Sequence, residues 1–212
     1  FKKAVDANIG EVYVAAEDQE IVDDVKQNGG QAILTSKNHK TGTDRIYEAL
    51  KKLSRSDIEL VMNLQGDEPL MNIKDIRNLH NQMLKKKSEI GTLASNIVDK
   101  NLYDEQNVVK VITAESLERS EFSEAIKFMR KTDYVSKNIY HHLGIYCYQF
   151  ETLKNFVSLK QSNNEIKNNL EQLRALDNNI RINVSLAKES PIGVDTEKDY
   201  VAIKKIMEYK SK

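Results

Sequence analysis

The sequence predicts an α/β protein with a mixed, mostly parallel sheet and helices on both of its faces. β-prone runs at 11–16, 32–35 and 60–62 are separated by single stretches whose apolar residues recur at helical spacing. Connections this short leave right-handed crossovers as the consistent topology. The third run stops at Asn63-Leu64-Gln65-Gly66-Asp67-Glu68-Pro69, and a proline cannot continue a central strand. In a parallel sheet such a carboxyl edge is where ligands bind.

Taken in order, Glu11-Val12-Tyr13-Val14-Ala15-Ala16 reads as a buried strand. Asp18 is placed to cap a helix with Ile21, Val22 and Val25 on one face, and Gly29-Gly30 to end it in the left-handed conformation. Ala32-Ile33-Leu34-Thr35 is the second strand. Thr43 or Asp44 then caps a helix that buries Ile46, Leu50 and Leu53. After the strand at Leu60-Val61-Met62, a helix from about Ile73 buries Ile76, Leu79 and Met83. Beyond residue 90 the alternation weakens. Thr92-Leu93-Ala94, Val108 to Ile112 and Leu143 to Tyr148 read as strands, whereas 115–140 yields no assignment. A helix follows around Leu170, Leu173 and Leu176. Ile180, Ile182, Val184 and Leu186 alternate with polar residues, the pattern of a strand with one wet face. Thr196, with Asp199 three residues on, opens a last helix through a near-match to the capping box. With no repeat, linker or low-complexity tract, residues 1–212 are expected to form a single domain.

Composition narrows the function. Thirty per cent of the 212 residues are charged, with 32 basic and 32 acidic side chains. That balance lacks the basic surplus of a nucleic-acid or membrane-surface binder. No apolar run approaches the roughly 20 residues that span a bilayer, so no membrane insertion is expected. A single cysteine, Cys147, rules out an internal disulfide and any multi-cysteine zinc site, and suits a reducing cytoplasmic compartment.

Two acids stand out. Asp67 follows a strand beside Gly66, which lets a ligand approach the backbone; Asp195 precedes the last helix in Gly193-Val194-Asp195-Thr196. Two carboxylates at loop edges of one sheet are what a Mg²⁺ ion shared with substrate phosphates requires. An exposed acidic turn and a helix cap are the plain alternatives, although Thr196 fills the cap role better. Thr41-Gly42-Thr43-Asp44-Arg45 presents backbone donors, hydroxyls and a guanidinium at a helix start; alone it reads equally well as an ordinary cap. His141 and His142 lack metal-ligand spacing, and no HExxH, GxSxG, Walker A or GxGxxG occurs. Binding of an acidic or hydroxylated substrate stays open for them beside a local hydrogen bond. Glu171 and Gln172 lie on the Leu170-Leu173-Leu176 helix, where solvated surface is the plain expectation.

Together these segments are more specific than apart. With His142-Leu143-Gly144-Ile145-Tyr146 and Leu170-Glu171-Gln172-Leu173-Arg174-Ala175-Leu176, they occur in the order found in the 3-deoxy-manno-octulosonate cytidylyltransferases, the CMP-Kdo synthetases of lipopolysaccharide assembly. The resemblance covers about residues 11–203. It implies a Rossmann-like nucleotide-diphospho-sugar transferase fold, a homodimer, CTP and Kdo as substrates, and Mg²⁺. It further implies that Asp67 and Asp195 hold the metal, with Thr41, Gly42, Thr43 and Arg45 at the nucleotide. Gln65, His142, Glu171 and Gln172 would line the sugar-acid pocket. The family opens with a strand and a phosphate-cradling loop that residues 1–212 do not display. Glu124 stands where a base is usual, Ser162-Asn163 where Ser-Pro is usual, and His141 where a lysine or arginine is common. A cytidylyltransferase for another 2-keto sugar acid, of the sialic-acid type, and a non-catalytic dimerising remnant are the competing expectations.

Overall fold

A computed structural model describes residues 1–132, 137–189, 193–194 and 196–210. The elements are α1 (Lys2–Ala7), β1 (Tyr13–Ala16), α2 (Gln19–Gln27), β2 (Gln31–Leu34), α3 (Gly42–Leu53), β3 (Leu60–Asn63), α4 (Ile73–Lys86) and β4 (Ile90–Ser95). A 3₁₀ turn at Lys100–Tyr103 leads into β5 (Lys110–Thr113), β6 (Ser123–Met129), β7 (Ile139–Gln149) and α5 (Phe150–Ser158). The chain continues through α6 (Asn163–Asn168), α7 (Leu173–Asp177), β8 (Ile182–Leu186) and α8 (Glu197–Lys210).

The expectation of a mostly parallel sheet is corrected. β1 and β2 form a parallel pair of their own, and the larger sheet runs β3-β7-β4-β8-β6-β5. There β4–β8 is the parallel pairing and the other described pairings are antiparallel. Within the β-α alternation, β1 and β2 are parallel, and β3 and β4, both antiparallel to β7, are parallel to each other. The long strand β7 is inserted between them. Its first residues also pair with β5, which closes β7-β4-β8-β6-β5 into a ring of hydrogen-bonded neighbours.

Helices cover both faces, as expected. One core gathers Tyr140, Tyr146 and Tyr148 of β7 with Leu153 and Phe156 of α5, Leu173 and Ala175 near α7, and Ile46 and Leu50 of α3. The opposite core gathers Leu143, Ile145 and Cys147 with Ile76, Leu79 and Met83 of α4 and Ala7 of α1. On the solvent side of α2, Ile21 is exposed while Val22 is buried, so only part of its expected apolar face packs.

Local chemistry explains most boundaries. Thr41, two residues ahead of the expected cap, accepts from Asp44 N at 3.2 Å and starts α3. That frees Thr43 to turn inward. Asp18 occupies its cap position without a side-chain hydrogen bond. Gly29 adopts φ 78° after α2, and Gly30 N donates to Val25 O, as the sequence predicts. Thr196 and Asp199 satisfy one another's backbone N–H groups at the start of α8.

Three further expectations change. β8 has no wet face: Ser185 is buried, donating to Glu121 O and accepting from Asn78 Nδ2, so its polar side is satisfied internally. The helix around Leu170 to Leu176 begins only at Leu173, after a turn through Glu171 and Gln172. The unassigned 115–140 stretch holds β6 and the start of β7, so His141 and His142 lie within a strand rather than ahead of one. Glu124 sits in β6, opposite Asn183 of β8.

Candidate active site

The candidate site is assembled on the second half of β7. A register shift opposite Thr92 and Leu93 pairs Thr92 with Tyr146 and Leu93 with Leu143, leaving Gly144 and Ile145 as a bulge. The loop after β3 folds onto that bulge. Glu68 Oε1 accepts from Gly144 N at 3.2 Å, and a Cβ on Gly144 would stand 3.3 Å from Gln65 Nε2. Glycine here lets the end of the Gln65 side chain lie close against the strand, and a larger residue would ask that side chain to shift.

From the bulge an aromatic row runs along the strand. His142 lies 5.4 Å from the Tyr146 ring, and Tyr146 stacks on Tyr148 at 5.8 Å. Tyr148 Oη meets the buried Thr43 hydroxyl at 3.4 Å. Glu171 and Gln172 line one small cavity with Tyr146, Tyr148 and Phe156. Both side chains are largely withdrawn from water, so the solvated-surface expectation for them does not hold. Glu171 Oε1 is buried without a hydrogen-bond partner among the described residues. Burial pushes its carboxyl above the ordinary value, while the Thr43 and Thr41 hydroxyls and the Arg174 charge pull it down. An orphaned buried acceptor is costly, and a ligand hydroxyl or amide would relieve it.

What fixes Glu171 is the turn behind it. Arg174 donates to Glu165 through Nε at 2.9 Å and Nη2 at 2.6 Å, both side chains being 3% exposed. The guanidinium also lies 4.7 Å from the Phe156 ring centre. Glu165 closes a capping box with Ser162 at α6.

His142 is neutral at physiological pH. Burial, and then the neighbouring His141, push its pKa down to about 3 from 6.5. The folded value lies below the unfolded one, so the unfolded chain binds more protons between those limits and stability rises with pH there. This contribution is complete above about pH 6.5 and is lost as pH falls toward 3. His142→Phe is therefore expected to flatten the pH dependence of urea unfolding between these limits. An unchanged slope would remove His142 from that account.

The two metal candidates are unequally visible. Asp67 is exposed in the turn after β3, and its main-chain O accepts from Val194 N at 2.8 Å. The Gly193-Val194 segment thus meets the Asp67 turn. Asp195 itself lies outside the described residues. Among the described residues no three His, Cys, Asp or Glu side chains group as a complete metal site. An exposed carboxylate with the 193–194 segment bonded beside it suits a hard cation whose remaining ligands are phosphate oxygens and water.

Not every expected residue joins the cluster. Thr41, Gly42 and Thr43 do, Gly42 facing Asn63 at the end of β3. Arg45 does not: it donates to Thr35 Oγ1 and Ser36 O and pairs with Glu17. Those bonds join the exits of β1 and β2, so Arg45 holds that corner together and is not an open fork for phosphate. Sequence reasoning also passed over Tyr146, Tyr148, Thr92 and the separate role of Glu68. The signal for the tyrosines was their even spacing with His142 along one strand.

The sheet is closed on itself, with an acidic turn at a strand exit and a buried polar cluster beside it, and the relatives that share this fold and sequence place the chain among the nucleotidyltransferases. The fold matches the structure of CMP:2-keto-3-deoxy-manno-octonic acid synthetase complexed with CTP, with a TM-score of 0.87 and 29% identity over 99% of this chain and 86% of that one. A 4-diphosphocytidyl-2C-methyl-D-erythritol synthase from Anaerococcus prevotii shares the fold, with a TM-score of 0.60 and 16% identity over 98% of this chain and 86% of that one. The cytidylyltransferase family model matches residues 1–182. A 3-deoxy-manno-octulosonate cytidylyltransferase of Bartonella tribocorum is 38% identical over 209 residues, covering 97% of this chain and 85% of that protein. One from Thermodesulfovibrio yellowstonii is 41% identical, covering 94% and 82%. The chain belongs to the 3-deoxy-manno-octulosonate cytidylyltransferase family.

Proposed function

We propose that this protein activates Kdo with CTP, giving CMP-Kdo and pyrophosphate for lipopolysaccharide biosynthesis. What supports the reading is that Thr41 to Thr43, Gln65, His142, Glu171 and Gln172, scattered over more than half the sequence, meet on one strand, β7. Neutral and acceptor-rich groups in that cluster suit a polyhydroxylated ligand. The anomeric oxygen of Kdo would bond to the α-phosphorus of CTP as the bond to the pyrophosphate oxygen breaks, the hydroxyl proton leaving with solvent. The protein's part is to position both substrates, Glu171 and His142 taking sugar hydroxyls and Thr41 to Thr43 flanking the nucleotide. Mg²⁺, held by Asp67 and Asp195 with phosphate oxygens, would neutralise charge on the transferring group.

Pyrophosphate release from CTP with a panel of 2-keto sugar acids tests the reading: Kdo is expected to be preferred, and preference for a nine-carbon acid would overturn it. No turnover with any acid would favour a non-catalytic remnant. His142→Ala is expected to raise KM for Kdo more than KM for CTP; the reverse ranking would move His142 out of the sugar pocket. No helix among the described residues is long and apolar enough to cross a membrane. A cytoplasmic homodimer belongs to the same proposal, and light scattering of the purified protein tests the dimer.

A further inference from the structure

Thr92 is fully buried in β4, at the register shift that creates the Gly144-Ile145 bulge. Its hydroxyl faces three groups: Ile145 O at 2.6 Å, Leu143 O at 3.3 Å and His142 Nε2 at 3.0 Å. A hydroxyl carries one proton and two lone pairs, while a carbonyl oxygen can only accept. If the proton went to His142 Nε2, the hydroxyl oxygen would confront the Ile145 carbonyl at 2.6 Å with no hydrogen between them. The proton therefore goes to Ile145 O, and His142 Nε2 must bear the hydrogen that Thr92 accepts. In a neutral imidazole this leaves Nδ1 with a lone pair.

We infer that Thr92 is a positioning residue for the sugar site: it fixes His142 as the Nε2–H tautomer, so that the ring offers Nδ1 as an acceptor for a substrate hydroxyl. The same hydroxyl holds the bulge carbonyls, while Glu68 holds the bulge N–H of Gly144 from the other side. Thr92 thus couples the orientation of His142 to the strand segment on which Gln65 rests. A histidine set this way selects for hydroxyls and gives no charge to a carboxylate, so the substrate's acid group must be met elsewhere. This inference rests on the assignment of His142 to the sugar pocket, but its first test does not.

In ¹⁵N-labelled, substrate-free protein at neutral pH, the His142 imidazole nitrogens are expected to show Nε2 protonated and Nδ1 bare. A ring protonated at Nδ1 would overturn the inference whatever the enzyme's activity, and this needs no variant. Thr92→Val keeps the shape and removes the hydroxyl. It is expected to shift His142 toward the Nδ1–H tautomer and to raise KM for Kdo about three- to tenfold, the range for one hydrogen bond, with KM for CTP little changed. Thr92→Ser should restore both. A purely structural role would lower the melting temperature of Thr92→Val while leaving the tautomer and the ratio of the two KM values as they were, and that result would sink the proposal.

Discussion

Asp67→Asn is expected to lower kcat by at least about 10², or about 2.7 kcal/mol, comparable to losing one donor that stabilises developing charge. Asp67 sits in the turn that ends β3, exposed and outside both cores. Its fold-related contact is made by the backbone, since the Asp67 carbonyl accepts from Val194 N. Asparagine keeps that bond and the side-chain volume while removing the charge. Stability should therefore stay within about 0.5 kcal/mol of the parent. Pairing normal folding with lost turnover is what separates a metal ligand from an acidic surface turn. Turnover of the variant close to the parent's at saturating Mg²⁺ would refute the role. Asp195→Asn should give a loss of the same kind under the proposed role of both acids at one cation.

The second large effect is on stability. Arg174→Met is expected to cost about 3–5 kcal/mol, because it strands a buried carboxylate. Burial by itself would push the Glu165 carboxyl up, but the Arg174 guanidinium, with Gln161 and the Ser162 backbone, outweighs it and holds the pKa below the ordinary value. A depressed carboxylate stabilises the fold above its unfolded pKa and loses that contribution as pH falls through the folded value. Parent stability should therefore drop on acidification, and Arg174→Met should lose that part of the dependence. Replacing both partners, as Glu165→Leu with Arg174→Met, should cost less than the two single changes summed. Urea midpoints provide the comparison, and a cost below about 1 kcal/mol for Arg174→Met would show the pair to be dispensable. The Arg174 charge also acts on the Glu171 carboxyl, so under the proposed sugar-binding role of Glu171 the same variant should also weaken Kdo binding.

Much of the site was legible because its chemistry sits in short, unusual segments. The Gln65 to Pro69 turn declares itself by ending an apolar run with glycine, two acids and proline. Thr41-Gly42-Thr43 was legible as a helix start, although only the structure shows that Thr41 takes the cap and Thr43 turns toward Tyr148. Arg45 illustrates the limit: guanidinium chemistry fits phosphate and carboxylate alike, and which one it meets depends on Glu17 lying across the corner between β1 and β2. Burial of Glu171 and Gln172 was equally hidden, since a polar pair beside leucines reads as surface until another layer covers it.

The chain by itself determined where helices and most strands lie, through apolar period, glycine and proline placement, and cap chemistry, all of which act within a few residues. It also carried the order of motifs that marks the family. Strand direction and partnership were decided by the tertiary structure. β7 returns from a polar, unpatterned stretch and inserts between β3 and β4, a pairing between residues as far apart in sequence as Ser95 and His141 or Leu60 and Gln149, which no local propensity encodes. The same insertion creates the bulge opposite Thr92, onto which the loop after β3 folds, so that Gln65 and Glu68 come to lie against Gly144, a contact between distant segments that neither encodes alone.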